Sequence, residues 1–204
     1  MRTLFSGYDK YTHELMFRVY AAELPQTGNR QNHRTAHLAA LDLLGAALAE
    51  DFGVRHAVIH RCGIEKPKLI HDSLYFNISH CKGLAVAAVG TVPLGVDAEF
   101  PRSVKESLMQ KVCATEEFQQ IQAADDPAAE FVRFWTLKEA FAKYTGEGIR
   151  LDFSALRFSF EADGTIGFHH PDAANVRFVQ MTDLSGCTVS LCRQGSTDAD
   201  LNYK

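Results

Sequence analysis

The segment around the single tryptophan places one acidic and two basic side chains among aromatic residues. Glu139 and Lys143 are four residues apart, so on a helix they share one face, and Trp135 lies one turn before Glu139 on that face. Lys138 is the second basic residue. The surrounding phenylalanines are typical of a helix side that is buried in the core. The segment therefore predicts a helix with a buried aromatic side and a polar side that can carry chemistry.

A pair of acidic residues lies upstream, in the sequence Gly95-Val96-Asp97-Ala98-Glu99. On an extended backbone, residues i and i+2 point the same way, so Asp97 and Glu99 project together. An isolated pair of this kind is usually a solvated strand end. Here the neighbouring residues are apolar, and a partly buried carboxylate is costly unless a cation or a proton neutralises it. Together with Glu139, the pair indicates a site for Mg²⁺ and a phosphate-bearing ligand.

A third motif, Phe76-Asn77-Ile78-Ser79-His80, ends an apolar strand with two polar residues. Ser79 and His80 can present a hydroxyl and an imidazole N–H to a phosphate oxygen, although a lone histidine is more often structural. Arg34 and Lys66 are surface cations by default. Arginine suits bidentate phosphate contact and lysine supplies a point charge, so both are candidates for the same ligand.

Charge and cysteine content exclude several classes of protein. The chain has 204 residues and a net charge of −4, so no global basic field attracts nucleic acid. The five cysteines are scattered without a C-x-x-C pair, which is typical of a reducing compartment. Charged residues interrupt the N-terminal apolar stretch, and no run approaches the ~20 apolar residues of a membrane span. We therefore expect a cytoplasmic protein with no nucleic-acid or membrane partner.

Periodicity and turn residues predict a mixed order of helices and strands. The predicted helices cover residues 29–52, 103–113, 115–123 and 126–144, and the predicted strands cover residues 14–22, 54–61, 74–78, 84–89, 95–99, 156–160, 165–169, 175–181 and 187–192. Because helices fall between clusters of strands instead of alternating with them, the fold class is α+β. We expect an N-terminal lobe at 1–93, a C-terminal lobe at 94–193 and a flexible tail at 194–204.

The three motifs, with Trp135-x-x-Lys138-Glu139-Ala140-x-x-Lys143 as the last, resemble those of the 4′-phosphopantetheinyl transferases. The likeness is to the larger monomeric class, typified by the surfactin-synthetase activator, and it covers most of the chain. The His33-Arg34-Thr35 triplet and the Lys66-Pro67 pair also resemble landmarks of the family. Cys81 departs from the serine that the family often has there, and cysteine at this position resembles the enterobactin-synthetase branch.

The resemblance implies a two-lobed fold and a defined reaction. Each of two pseudo-symmetric lobes would have a small antiparallel sheet and a long helix, with the active site in the cleft between them. The activity implied is that of a holo-[acyl-carrier-protein] synthase: Mg²⁺-dependent transfer of the 4′-phosphopantetheinyl group from coenzyme A to a serine of an apo acyl, peptidyl or aryl carrier protein. The second product would be adenosine 3′,5′-bisphosphate, and the enzyme would act as a monomer.

The resemblance also implies roles for individual residues. Asp97, Glu99 and Glu139 would be the magnesium ligands. Glu139 would also be the base for the attacking serine, directly or through water. Lys143 would be the cation on the pyrophosphate, with Lys138 as a weaker second.

The remaining implied roles concern the nucleotide end of coenzyme A. Arg34 and His80 would contact the 3′-phosphate, and Lys66 and Ser79 would line the same pocket. A carrier protein presents its serine on an acidic helix, so we expect it to dock on the helical segment 103–121, which carries Lys105 and Lys111.

Two other functions are compatible with parts of the pattern. A metal-dependent phosphoesterase or pyrophosphatase could use the same carboxylates to activate water, and it would hydrolyse coenzyme A without a carrier. A carrier-binding module without catalysis would be expected to have lost a metal ligand or a lysine, and none is missing.

Overall fold

Two antiparallel β-sheets lie side by side in the computed structural model, and each packs against one long helix. The structure describes residues 1–9, 11–25, 31–63, 65–70, 73–195 and 200–203. The helices are α1 (Gln31–Phe52), α2 (Glu106–Val112), α3 (Thr115–Ala123) and α4 (Pro127–Thr145), with 3₁₀ turns at Gly148–Arg150 and Pro171–Ala174. The strands are β1 (Arg2–Tyr8), β2 (Leu15–Glu23), β3 (Ile59–His60), β4 (Lys68–Leu69), β5 (Tyr75–Cys81), β6 (Leu84–Gly90), β7 (Leu94–Glu99), β8 (Arg157–Phe160), β9 (Ile166–His169), β10 (Val176–Leu184), β11 (Cys187–Gln194) and β12 (Asp200–Tyr203).

The larger sheet has the order β12-β1-β2-β6-β5, and α1 covers one of its faces. Every residue of β6 is buried, because this strand lies between two neighbours and carries apolar side chains on both faces. The smaller sheet has the order β10-β11-β7 and packs against α4. Two short hairpins, β3–β4 and β8–β9, complete the fold. The predicted α+β class is confirmed.

The edges of the two sheets meet where β5 lies against β7. Side chains, not a backbone ladder, make the polar contacts across this seam. The Val96 N–H donates to Asn77 Oδ1 at 2.9 Å, and the Ala98 N–H donates to Ser79 Oγ at 3.2 Å. One apolar cluster is built from strands of both sheets, so the seam also has a shared core.

Local signals fix both ends of α4. Asp126 is the N-cap, and its Oδ1 accepts the N–H groups of Ala128 and Ala129 at 3.0 Å. Pro127 occupies the first helical position, where a missing N–H costs nothing. Gly146 ends the helix in the left-handed conformation, with φ of 79°. The helix predicted from the sequence is confirmed.

The structure differs from the sequence prediction at several strands, because the prediction lacks β1, β4 and β12. Of the predicted strand 54–61, Ile59–His60 alone has strand geometry within that stretch. The flexible tail at 194–204 stays a prediction, and in the structure β11 continues to Gln194 while Asp200–Tyr203 pairs with β1. The pairing satisfies N–H and C=O groups that an edge strand would otherwise leave open. The division into lobes at 93 stays a prediction, although β7 begins at Leu94.

Membrane insertion has no support in the helices. Within the described ranges, no helix has both the length and the apolar composition needed to cross a bilayer.

Gly95 allows β7 and α4 to approach each other closely. A Cβ atom at position 95 would collide with backbone atoms of Ala140, Lys143 and Tyr144 on the helix. Backbone atoms cannot move aside as a flexible side chain can, so a larger residue would push α4 away from the strand. Gly95 therefore sets the distance between the acidic strand and the helix that carries Glu139.

We expect Gly95→Ala to lower the free energy of unfolding by about 1–3 kcal/mol, because the added methyl group overpacks the contact between strand and helix. Gly45→Ala is the matched control: a Cβ at position 45 of α1 meets nothing within 4 Å. Alanine in a helix interior should stabilise by about 0.5–1 kcal/mol. Urea unfolding measures both changes. Equal stability of the two variants would contradict the close approach.

Candidate active site

A pocket of about 390 Å³ opens at the seam between the two sheets. Side chains from α1, β5, β7 and α4 line it: His37, Ile78, Ser79, His80, Asp97, Ala98, Glu99, Trp135, Glu139 and Lys143. The structure therefore brings six of the predicted site residues together, namely Ser79, His80, Asp97, Glu99, Glu139 and Lys143.

Asp97 is the centre of the polar contacts in the pocket. Its Oδ1 accepts the Lys143 ammonium at 2.7 Å and the Ser79 hydroxyl at 2.9 Å. The same ammonium donates to Ser79 Oγ at 3.0 Å and to the Val96 carbonyl at 3.1 Å. The second oxygen of Asp97 is buried and has no hydrogen-bond partner among the residues that the structure describes. One oxygen of a buried carboxylate thus remains available to a ligand.

The pocket disfavours the charged form of its two glutamates. Burial raises the pKa of Glu139 to about 7, Asp97 and Glu99 add to the rise, and Lys143 opposes it. Burial also raises the pKa of Glu99, and the charge of Asp97 adds to that rise. Three carboxyl groups therefore compete for the positive charge of one ammonium group.

These residues fit a hard divalent cation in their donor chemistry. All the donors are carboxylate oxygens, the type that Mg²⁺ prefers, and the unpartnered oxygen of Asp97 is one of them. Within the described part of the chain, no three acidic, imidazole or thiol side chains are close enough to share one ion as they stand. Asp97, Glu99 and Glu139, which all line the pocket, are the residues that could hold it.

Three imidazoles meet at one end of the pocket. The ring of His80 contacts those of His33 and His37 edge-on, with centroid distances of 4.5 and 5.7 Å. Burial lowers the pKa of His80, and repulsion from His33, His37 and Lys143 lowers it further. An anionic group at this end would favour the protonated ring of His80. The sequence prediction missed His37. Its position four residues after His33 on one helix was the available signal.

Two predicted ligand contacts lie outside this pocket. Arg34 is exposed on the first turns of α1 and does not line it. Lys66 lines a second pocket of about 430 Å³ with Pro67 and Tyr144, and its ammonium donates to the Leu94 carbonyl. Burial lowers the pKa of Lys66 to about 8.

The structure places Lys138, predicted as a second cation on the pyrophosphate, in the core and not among the residues that line the pocket. Its side chain is fully buried, and its ammonium pairs with Glu117 at 2.7 Å. The same ammonium donates to the carbonyls of Phe153 at 2.8 Å and Leu156 at 2.6 Å. Successive helix residues point in different directions, so Lys138 faces the core while Glu139 faces the pocket.

Glu117 completes this buried ion pair. Its carboxylate accepts the N–H groups of Ala114 and Phe158, each at 2.8 Å. The pair thereby ties α3, α4 and the entry to β8 together. A buried pair of this kind supports the helix that presents Glu139, and it does not touch the pocket.

Comparison with known proteins identifies relatives of one kind. Residues 93–192 match the family model described as the 4′-phosphopantetheinyl transferase superfamily. A 4′-phosphopantetheinyl transferase of Bacillus subtilis is 28% identical over 82% of this chain and 79% of its own length. The L-aminoadipate-semialdehyde dehydrogenase-phosphopantetheinyl transferase of Saccharomyces cerevisiae is 33% identical over 82% of this chain and 66% of its own length. The 4′-phosphopantetheinyl transferase psf-1 of Bacillus pumilus is 32% identical over 49% of this chain, and this chain covers 44% of the length of psf-1.

Solved structures with partial similarity are smaller proteins. Holo-[acyl-carrier-protein] synthase of Thermotoga maritima has a TM-score of 0.44 at 20% identity, over 52% of this chain and 64% of its own. The ACPS–CoA complex from Chronobacterium ammoniagenes has a TM-score of 0.41 at 18% identity, over 55% of this chain and 98% of its own.

The two lysines of α4 should differ in what their loss does. We expect Lys138→Met to lower the free energy of unfolding by about 3–5 kcal/mol, because it leaves the buried Glu117 charge uncompensated. Lys143→Met is the matched control and should cost less, since water reaches the 28% exposed side chain of Lys143. Urea unfolding followed by circular dichroism measures both. A Lys138→Met protein as stable as the wild type would contradict the structural role.

Proposed function

We propose that this chain, which belongs to the 4′-phosphopantetheinyl transferase superfamily, moves the 4′-phosphopantetheinyl group from coenzyme A to a serine hydroxyl of an apo carrier protein. The observation that carries the proposal is the pocket at the seam, where Asp97, Glu99 and Glu139 meet the Lys143 ammonium. These four residues come from two separate elements, β7 and α4, within the matched segment 93–192.

The reaction breaks the pyrophosphate of coenzyme A. The serine oxygen attacks the phosphorus that carries the pantetheine arm, and the bond to the departing adenosine 3′,5′-bisphosphate breaks. Glu139 takes the serine proton, directly or through water. Lys143 faces the pyrophosphate and stabilises the charge that develops on the leaving oxygen. Asp97, Glu99 and Glu139 would hold Mg²⁺, which when bound neutralises the pyrophosphate oxygens.

The imidazole cluster suits the other end of coenzyme A. His80, flanked by His33 and His37, offers N–H donors to the 3′-phosphate of the nucleotide. Arg34 is one residue from His33 on the exposed side of α1 and would reach the phosphate from solvent. Ser79 contributes through Asp97 and Lys143, since its hydroxyl already bonds to both.

We propose α2 and its approach as the docking surface for the carrier. Lys105, Leu108 and Lys111 are exposed there, whereas Met109 and Val112 are buried in the core. A cationic surface with one apolar side chain complements an acidic helix on the partner. An acyl, peptidyl or aryl carrier fits this description, and we propose that the enzyme acts on it as a cytoplasmic monomer.

The test of the function is a mass measurement. Incubation with coenzyme A, Mg²⁺ and apo carrier proteins of the acyl, peptidyl and aryl types should add the phosphopantetheine arm to the serine of at least one carrier, detected by intact mass. A phosphoesterase or pyrophosphatase would instead cleave coenzyme A equally well without a carrier. Release of adenosine 3′,5′-bisphosphate in the absence of a carrier, with no modified carrier in its presence, would overturn the transferase.

The acidic residues of the pocket should be needed for turnover and not for folding. We expect Asp97→Asn, Glu99→Gln and Glu139→Gln each to lower the transfer rate by about 10²–10³-fold, because each removes charge that the pyrophosphate and its counter-ion require. Glu116→Gln, an exposed glutamate on α3, is the control and should keep the wild-type rate. Far-UV circular dichroism checks the fold. Wild-type turnover in any two pocket variants would contradict the three-carboxylate site.

The imidazole cluster should distinguish coenzyme A from dephospho-coenzyme A. We expect His80→Ala and Arg34→Ala to lower the affinity for coenzyme A by about tenfold to a hundredfold, since a charge-assisted contact is worth roughly 1.5–3 kcal/mol. The affinity for dephospho-coenzyme A, which lacks the 3′-phosphate, should change little. Isothermal titration calorimetry measures both ligands. Equal weakening of the two would place these residues at another part of the nucleotide.

A further inference from the structure

Two cysteines face each other across the seam between the sheets. Cys81 is the last residue of β5 and Cys187 is the first residue of β11. Their sulfur atoms are 3.4 Å apart, with Cys81 donating to Cys187, although 106 residues separate them in sequence. The fold, and not the chain order, therefore brings this pair of thiols together.

The surroundings hold both thiols in place. Cys187 is 1% exposed, and its sulfur lies 3.7 Å from the Lys82 carbonyl and 3.9 Å from that of Ser185. Cys81 is half-buried and is the more exposed residue of the pair. A disulfide has an S–S distance of about 2.05 Å, so the two sulfurs need to approach by about 1.3 Å.

We propose that Cys81 and Cys187 are a modification site that a two-electron oxidant such as hydrogen peroxide converts into a disulfide joining the two sheets. The Cys81 sulfur attacks a peroxide oxygen, the O–O bond breaks, and the leaving hydroxide takes a thiol proton to become water. The Cys187 sulfur then attacks the sulfenic acid on Cys81, the S–O bond breaks, and the second thiol proton leaves in a second water. Two thiols are oxidised by two electrons, and one peroxide is reduced to two waters.

The bridge would connect the two sides of the active-site pocket. Cys81 follows His80 directly, and Cys187 precedes Thr188, which pairs with Glu99 across β11 and β7. Drawing these strands together displaces His80 relative to Glu99 by a distance of the order of an ångström. Misplacement on that scale lowers turnover by about 10²-fold. This consequence for the rate rests on the proposed transferase activity, whereas formation of the bridge does not.

The first experiment detects the bond itself. Cys62 is exposed and would form intermolecular disulfides, so the background protein carries Cys62→Ser. After hydrogen peroxide treatment we expect an intact mass lower by two hydrogens. After alkylation of free thiols in denaturant, the oxidised protein should carry two alkyl groups fewer than the reduced protein, and one peptide pair should join Cys81 to Cys187. Reduction with a thiol before alkylation should make Cys81 and Cys187 available for alkylation again. Recovery of Cys81 as a sulfinic acid, or of both thiols in alkylated form, would overturn the proposal.

Stability and turnover provide two further measurements on the same samples. A loop of this length should raise the Tm of the oxidised protein by about 10 °C, and Cys81→Ser or Cys187→Ser should each abolish the rise. Cys113→Ser, at a buried cysteine outside the pair, is the matched control and should preserve it. Turnover should fall about 10²-fold on oxidation and return on reduction. A bridge that leaves turnover unchanged would refute the effect on the site, and absence of any transfer by the reduced protein would instead refute the proposed function.

Discussion

The hydroxyl group of Ser79 is the contact on which the arrangement of the two sheets and the site depends. It accepts the Ala98 N–H from the edge of β7, and it also bonds to Asp97 and to the Lys143 ammonium. Two residues earlier on each strand, the side-chain oxygen of Asn77 accepts the Val96 N–H in the same way. A buried N–H without a partner costs about 1–3 kcal/mol, so these side chains replace the strand that β7 lacks on that side. The bonds that join the sheets therefore also hold Asp97 and Lys143 in the pocket.

The helix α4 divides its polar residues between stability and chemistry. Lys138 and Glu139 are adjacent in sequence, yet the former is sealed in the core with Glu117 and the latter lines the pocket. Gly95 allows the helix to lie close enough to β7 for Lys143 to reach Asp97. The motif therefore contains one residue that supports the helix, Lys138, and two that line the pocket, Glu139 and Lys143.

Local patterns could be predicted from the sequence, and long-range partners could not. The extent of α4 and the alternation that aligns Asp97 with Glu99 depend on neighbouring residues, and both predictions agree with the structure. The partner of Lys138 is a glutamate on another helix, and His37 joins the pocket only because α1 crosses β5. No periodicity encodes such contacts. The pairing of β12 with β1 likewise depends on an open strand edge, which tertiary structure alone reveals.

The hydrogen bonds of Lys143 indicate how the pocket changes when it is filled. An ammonium group has three donors, and Lys143 bonds with Asp97, Ser79 and the Val96 carbonyl. A contact with a pyrophosphate oxygen therefore requires it to release one partner. Asp97 is the partner that Lys143 could release most readily. Its second oxygen has no hydrogen bond among the described residues, so the carboxylate could bind a cation instead. Under the proposed function, cation binding by Asp97 and phosphate binding by Lys143 would thus be coupled through one carboxylate, and neither would require the hydrogen bond between Ser79 and the β7 backbone to break.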